Sequence, residues 1–294
     1  WAYQDRFRER GLTAILGSGF DPGVTGVFSA YALKHEFDEI HEIDILDCNG
    51  GDHGYPFATN FNPEINIREV TAKGRYYEAG KFIETEPMEI KRRYDFEGVG
   101  ERDMYLLYHE ELESLAKHIP GIRRIRFFMT FGESYLSHLR CLQNVGMTSI
   151  EPICYEGMEI IPLQFLKAVL PDPASVGPRM TGKTCAGLWV TGVGKGSDGS
   201  PTGPRSTYLY HVVDNEWAMQ EYGHQCVVWQ TAVNPVIALE LLAEGISEAL
   251  LATYRDGGVT RLSFGVQSTS AHVLAALGRA HDRDNVVRAV ELAR

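Results

Sequence analysis

In the segment MEIKRRYDF, residues 88–96, side chains alternate: Met88, Ile90, Tyr94 and Phe96 fall on one face, Glu89, Lys91, Arg93 and Asp95 on the other. RIRFFMTF, residues 124–131, repeats the pattern with Ile125, Phe127, Met129 and Phe131 inward. A period of two is what a sheet with one buried and one wet face requires. Between and after these strands, HEELESLAKHI (109–119) and GESYLSHLRCLQNVG (132–146) carry the spacing of amphipathic helices. Two further strands, CAGLWVTG and TYLYHVVD, are joined by the turn-rich GVGKGSDGSPTGPRS (192–206), which reads as a hairpin loop or a mobile flap. Paired strands of this kind predict one α+β domain over 34–225, built on an antiparallel or mixed sheet. Ahead of it, residues 12–16 read as a short strand and 24–37 as a helix, an α/β arrangement.

The strand-to-helix turn there, GSGFDPGVTGVF (17–28), has the composition of a close backbone approach. Gly19 and Gly23 tolerate positive φ, and Pro22 sets φ just ahead of the helix. Such a turn is either a connector or the wall of a ligand site. A second glycine motif, GPRMTGKT (177–184), matches the spacing of a phosphate-binding loop. That chemistry needs a strand before the loop and a helix after it. Here LPDPASV precedes and a strand follows, so the match is formal only.

The densest polar stretch is CNGGDHGYPFATNFNPEINIREV (48–70), with Asp52, His53, Asn60, Asn62, Glu64, Asn66, Arg68 and Glu69. Polar groups at that density need partners. Arg68 suits the carboxylate of an amino-acid head group, with a nearby acid for its ammonium. The bland alternative is an ion pair from Arg68 to Glu64 or Glu69 on a short surface helix. Cys48 and His53 do not form a nucleophile pair on spacing alone, no four ligands for zinc come together, and no G-x-S-x-G occurs.

Composition narrows the partners. The 294 residues carry 39 acids against 28 bases, a net charge of −11, which disfavours nucleic acid and suits a cationic small molecule. No apolar run reaches the length of a membrane span and no signal peptide is visible. Five scattered cysteines, without a CxxC, imply reduced thiols in a cytoplasm and no metal site. The length predicts two domains. Trp1 opens inside a helix-like segment, so the chain reads as a fragment.

GSGFDPGVTGVFSAYA, the 48–71 loop, FFMTFGESYLSHLRCLQNVGM, VGPRMTGKTCAG and NPVIALELLAEG together resemble the saccharopine dehydrogenase family, over residues 1 to about 245. Within it they look most like the branch that makes carboxylated triamines. The resemblance implies an NADPH-dependent oxidoreductase condensing L-aspartate β-semialdehyde with 1,3-diaminopropane or putrescine in polyamine biosynthesis. It implies a fold of α/β plus α+β type: residues 1–33 as the remnant of a Rossmann-like dinucleotide domain, 34–225 as a substrate-binding and dimerisation domain giving a homodimer, and 226–245 as a helix returning to the dinucleotide domain. Gly19, Phe20, Asp21, Pro22 and Gly23 would then touch NADP. Asn66, Arg68, Glu69 and Glu64 would bind substrate. Asp52 and His53 stand nearest the cleft for proton transfer. The strand-turn-helix with G-x-G-x-x-G that holds a pyrophosphate is missing and lies upstream in relatives, so weak cofactor affinity is expected of this chain. Residues 246–294 instead resemble a segment of oxygen-independent coproporphyrinogen-oxidase-like radical SAM enzymes, without their C-x-x-x-C-x-x-C, and read as a foreign, dispensable segment. Two other functions fit: a non-catalytic self-associating module, and an oxidoreductase for a different amino acid.

Overall fold

A computed structural model describes residues 3–10 and 14–244. Contacts divide the chain into a compact unit from Phe20 to Thr231 and a second unit drawn from the residues on either side of it. In the second unit lie the short helix α1 (Gln4–Glu9) and a hydrogen bond from Asn234 to Ser18 Oγ of 3.2 Å. Residues 14–16 are irregular rather than a strand; 12 and 13 lie outside the described residues, as does everything expected of 246–294.

The Phe20–Thr231 unit is built on one mixed sheet. Its strands are β1 (Phe37–Asn49), β2 (Gly74–Glu78), β3 (Lys81–Thr85), β4 (Lys91–Phe96), β5 (Gly100–Leu107), β6 (Arg124–Thr130), β9 (Lys183–Lys195) and β10 (Pro201–Asp214). The small hairpin β7 (Ile153–Tyr155) and β8 (Met158–Ile160) stands apart. The order is β10-β9-β1-β6-β2-β3, with β5 also on β6 and β4 on β5. Only β1 and β6 run parallel; the other pairs are antiparallel. The helices are α2 (Val24–Tyr31), continued by a wider turn to Glu36, α3 (Pro63–Thr71), α4 (Glu111–His118), α5 (Glu133–Asn144), α6 (Pro162–Val169), α7 (Pro173–Val176), α8 (Asn215–Tyr222) and α9 (Cys226–Glu244).

One face of the sheet packs on these helices. Ile43 and Ile45 of β1, Ile125 and Phe127 of β6 and Leu188 and Val190 of β9 meet Ile67, Val70, Leu112, Leu115, Leu139, Leu163 and Leu166. The opposite face buries Leu46, Cys48, Phe96, Leu106, Phe128 and Cys185. The alternation in β4 is as expected, Tyr94 half-buried and Phe96 buried beside exposed Arg93 and Asp95. The wet face expected for 124–131 is not there. Arg126, Phe128 and Thr130 are buried too, because β6 is central and covered on both sides. Such a strand tolerates an inward charge only if it is paired. Arg126 Nε lies 2.7 Å from Asp44 Oδ1 and its Nη2 2.5 Å from Oδ2, a two-pronged bond to the neighbouring strand.

The turn-rich 192–206 stretch is a hairpin: β9 runs on to Lys195, and Gly196 N donates to Ser200 O at 2.8 Å. The phosphate-loop match has a structural explanation. Its second glycine, Gly182, has φ of +93°, and a Cβ there would meet Gly51 Cα at 2.9 Å. Beside it Asp52 and Thr181 exchange backbone hydrogen bonds of 2.9 Å, which pins the 50–54 loop to the start of β9. Gly182→Ala is therefore expected to cost about 1 to 3 kcal/mol in urea unfolding, from left-handed backbone and close approach together. An unchanged midpoint would contradict it.

Candidate active site

Along β1, the residues that face the helices are Ile40, Ile43 and Ile45. Asp47 is next on that face, an acid where the pattern calls for an apolar side chain. It lies at the carboxyl end of the strand, opposite Met129 of parallel β6 and Ala186 of β9. Crevices at the carboxyl ends of parallel strands are where α/β sheets take ligands. A cavity of about 670 Å³ opens there, lined by Asp47 and Asn49, by the Phe20–Asp21–Pro22 turn before α2, and by Ile65, Arg68 and Glu69 of α3. Tyr108, His109 and Glu110 from the link between β5 and α4, with Val227, Gln230 and Thr231 of α9, complete it.

Its electrostatics centre on His109. The ring stacks on Phe127, centroids 4.4 Å apart, and Nδ1 donates to Glu111, itself only 5% exposed. Nε2 faces Glu69 Oε1 at 3.6 Å. Burial alone would lower the imidazole's pKa, but the Glu111 bond and charge, with Asp21 and Glu69, raise it to about 10. Burial lifts Asp47 to about 7 and Glu69 to about 6, against the pull of His109. Asp21 is raised well above the carboxylate range, first by burial and then by Asp47. Glu69 Oε1 and Glu111 Oε1 are buried without a hydrogen-bond partner. Asp47 and Glu69 thus exchange protons near neutral pH, beside an imidazole that stays protonated. The cavity can attract a cation and can exchange a proton with it. Among the described residues no group of three or more His, Cys, Asp or Glu is placed to hold a metal.

The residues expected from the sequence scatter around this centre. Phe20, Asp21, Pro22, Arg68 and Glu69 line the cavity; Gly23 caps α2 with φ of 142°, and Gly19 belongs to the other unit. Arg68 lies 3.7 Å from Glu64, the helical ion pair of the bland reading, with its side chain 58% exposed. Glu64 is also held by Lys167 at 3.4 Å. Asn66, on the buried side of α3, accepts the Tyr135 hydroxyl at 2.6 Å. Asp52 and His53 are not among the lining residues. The Asp52 carboxylate accepts Gly54 N at 2.7 Å, and His53 bonds Asn60, which in turn donates to Asn49 Oδ1 at 3.2 Å. His53 reaches the cavity only through that relay. Asp47, His109 and Glu111 are absent from the sequence-based set. The signal for Asp47 was its place on the apolar face of a strand.

Gly194-Lys195-Gly196-Ser197-Asp198-Gly199 spells G-x-G-x-x-G, yet it closes the β9–β10 hairpin with no helix behind it. It offers no helix N-terminus to a pyrophosphate.

With this geometry in hand, comparison with known proteins is decisive. Residues 19–276 match the saccharopine dehydrogenase C-terminal domain. The chain belongs to the saccharopine dehydrogenase family. A family relative named carboxyaminopropylagmatine dehydrogenase, from Synechocystis sp., is 52% identical over 245 residues, 83% of this chain and 60% of that one. Carboxynorspermidine synthase from Vibrio cholerae is 42% identical over 239 residues, 81% of this chain and 56% of that one. The chain thus spans a little over half the length of these curated relatives. Among solved structures, apo saccharopine dehydrogenase (L-Glu forming) from Saccharomyces cerevisiae shares the fold, with a TM-score of 0.50 at 11% identity over 77% of this chain and 64% of that one. The family read from the sequence motifs, and the mixed sheet expected of it, are those found.

Proposed function

We propose that this chain is the substrate-binding part of an oxidoreductase of polyamine biosynthesis, which reductively condenses L-aspartate β-semialdehyde with a cationic amine. One observation carries the reading: three carboxyls, Asp21, Asp47 and Glu69, and one guanidinium, Arg68, line the same cavity. The substrates have the complementary charges, a carboxylate on the aldehyde and two cationic ends on the amine. Agmatine is the preferred amine, ahead of 1,3-diaminopropane or putrescine, because the 52%-identical relative is named for an agmatine product. The relatives' names support the reaction class as well.

The reductant in this reading is a nicotinamide dinucleotide, NADPH, which supplies a hydride to the condensed imine. Its pyrophosphate does not fit the described cavity, whose carboxyls repel phosphate and which has no amide cradle. Phe20, Asp21 and Pro22 face the cavity and are the part of the Gly19–Gly23 turn assigned to the nicotinamide side. A cytoplasmic homodimer, assembled through the 34–225 segment, belongs to the same proposal. Sedimentation of a strict monomer at micromolar concentration would count against that assembly.

Arg68 is placed to take the aldehyde's carboxylate. Its ion pair with Glu64 is exposed and worth only about 0.3 to 0.5 kcal/mol, and Glu64 keeps Lys167 when Arg68 turns away. Arg68→Lys keeps the charge and loses the planar fork. In the full-length protein it is expected to raise KM for the semialdehyde at least about tenfold, with a stability change below about 0.5 kcal/mol. An unchanged KM would make Arg68 a helix-surface residue only.

A further inference from the structure

The cationic amine of the proposed reaction arrives as an ammonium, which has no lone pair to attack an aldehyde. Something in the cavity must take its proton, and something must later protonate the hydroxyl that leaves as water. We propose that Glu69 of α3 is that proton carrier, held in position by the His109–Glu111 pair. The assignment rests on the reductive-condensation reading and names a residue for its first half.

The geometry selects Glu69 over its neighbours. Its Oε1 is buried with no hydrogen-bond partner, on a residue that lines the cavity. His109 Nε2 stands at 3.6 Å, close enough to steer the carboxylate and too far to occupy it. His109 cannot turn away, because its other nitrogen is bonded to buried Glu111 and its ring lies flat on Phe127. Arg68, one residue earlier on α3, lines the same cavity and is the proposed anchor of the aldehyde's carboxylate, so both reactants would meet beside Glu69. Asp52 and His53 have no such access.

The proton account closes without an outside acid. Ionised Glu69 removes a proton from R–NH3+, leaving R–NH2 and a neutral carboxyl. The nitrogen lone pair attacks the aldehyde carbon, the C=O π pair moves to oxygen, and a proton passes from nitrogen to that oxygen to give the carbinolamine. The Glu69 carboxyl then protonates the hydroxyl, the C–O bond breaks with loss of water, and the nitrogen lone pair forms the iminium. One cation enters, one cation and one water result, and Glu69 is again a carboxylate. A carrier of this kind works best when its own pKa is near the working pH, and Glu69, raised by burial to about 6, meets that condition.

The groups that set its titration come from each element around it. Asp47 on β1 and Glu110 and Glu111 at the start of α4 add negative charge, and Asp21 before α2 adds to it through its coupling to Asp47 and His109. His109 opposes them; the Tyr135 hydroxyl of α5 faces Glu69 as a neutral group, and Arg68 stands beside it on α3. Removing the imidazolium must therefore raise Glu69 further.

The test is the pH profile of kcat/KM for the amine in the full-length protein, with agmatine and 1,3-diaminopropane as amines, together with calorimetric titration of the same amines in two buffers of different ionisation enthalpy. In the wild type we expect activity to fall on the acid side of about pH 6, and amine binding at pH 6 to release protons. Glu69→Gln should lower kcat/KM about 100-fold and abolish the acid limb, while still binding the amine. His109→Gln should move the acid limb to higher pH rather than remove it, which a purely structural role would not do. An acid limb that persists in Glu69→Gln, with kcat/KM within threefold of wild type, overturns the assignment while leaving the condensation reading intact. Amine that neither binds nor turns over in the wild type overturns both.

Discussion

Replacing His109 with leucine is expected to cost about 3 to 5 kcal/mol at pH 6, because it strips the only imidazolium from a cavity that holds Asp21, Asp47 and Glu69 and leaves buried Glu111 without its donor. The loss should depend on pH, and its sign follows from linkage. The folded value of His109, about 10, lies above the ordinary 6.5, so its stabilisation is fully present below about pH 6.5 and is lost as pH rises through 10. The difference between wild type and His109→Leu should therefore shrink steadily from pH 6.5 to 10. Asp47 and Glu69 add a slope of the same sign lower down. Their folded values, about 7 and about 6, exceed those of an unfolded chain, so ionising them removes stability as pH rises from about 4 to about 7. Urea midpoints of wild type and variant at pH 6, 8 and 10 measure it. A pH-independent gap would mean that His109 matters for packing on Phe127 and not for charge.

A second large effect is expected on the opposite face of the sheet. Arg126 is 7% exposed, in the middle of the sheet, and both of its bonds go to Asp44. Asp44→Ala leaves that guanidinium buried and unpaired, at a cost of about 3 to 5 kcal/mol. The paired change Asp44→Leu with Arg126→Met should recover most of it, since apolar residues of similar size often replace a buried ion pair without loss. If Asp44→Ala costs less than about 1 kcal/mol, water or exposed Arg92, 3.8 Å from the same carboxylate, must be satisfying the site.

The reasons these two sites behave as they do also explain what the sequence could show of them. The strand at 91–96, the helices at 111–118 and 133–144, and the hairpin of β9 and β10 were legible because each depends on local periodicity and local turns. The burial of Arg126 was not, because it follows from β6 having neighbours on both sides, and those come from residues 37–49, 74–78 and 100–107. The strand expected at 12–16 failed in its described part, where an apolar run had no visible partner strand to pair with. In the site, Arg68 and Glu69 stood out by the polar density of their loop. Asp47 did not, because register shifts between Phe37 and Glu39 and between Ile40 and Glu42 interrupt the alternation ahead of Ile43, Ile45 and Asp47, so the strand that carries it was not marked as one. His109 reads as the first residue of a helix. Its partners, Glu69 and Phe127, are 40 residues before and 18 after it, a meeting that only the fold brings about.

The central claim, that this cavity receives a cationic amine for reductive condensation, is tested most directly by the amine's KM at saturating L-aspartate β-semialdehyde and NADPH in the full-length protein. We predict saturable, amine-dependent oxidation of NADPH, with agmatine preferred, and a KM for the amine at least about tenfold higher in Asp47→Asn, which removes a carboxyl that a bound cation would hold ionised while keeping the side chain's size. Oxidation of NADPH that is indifferent to the amine, or an amine KM unmoved by Asp47→Asn, would contradict it.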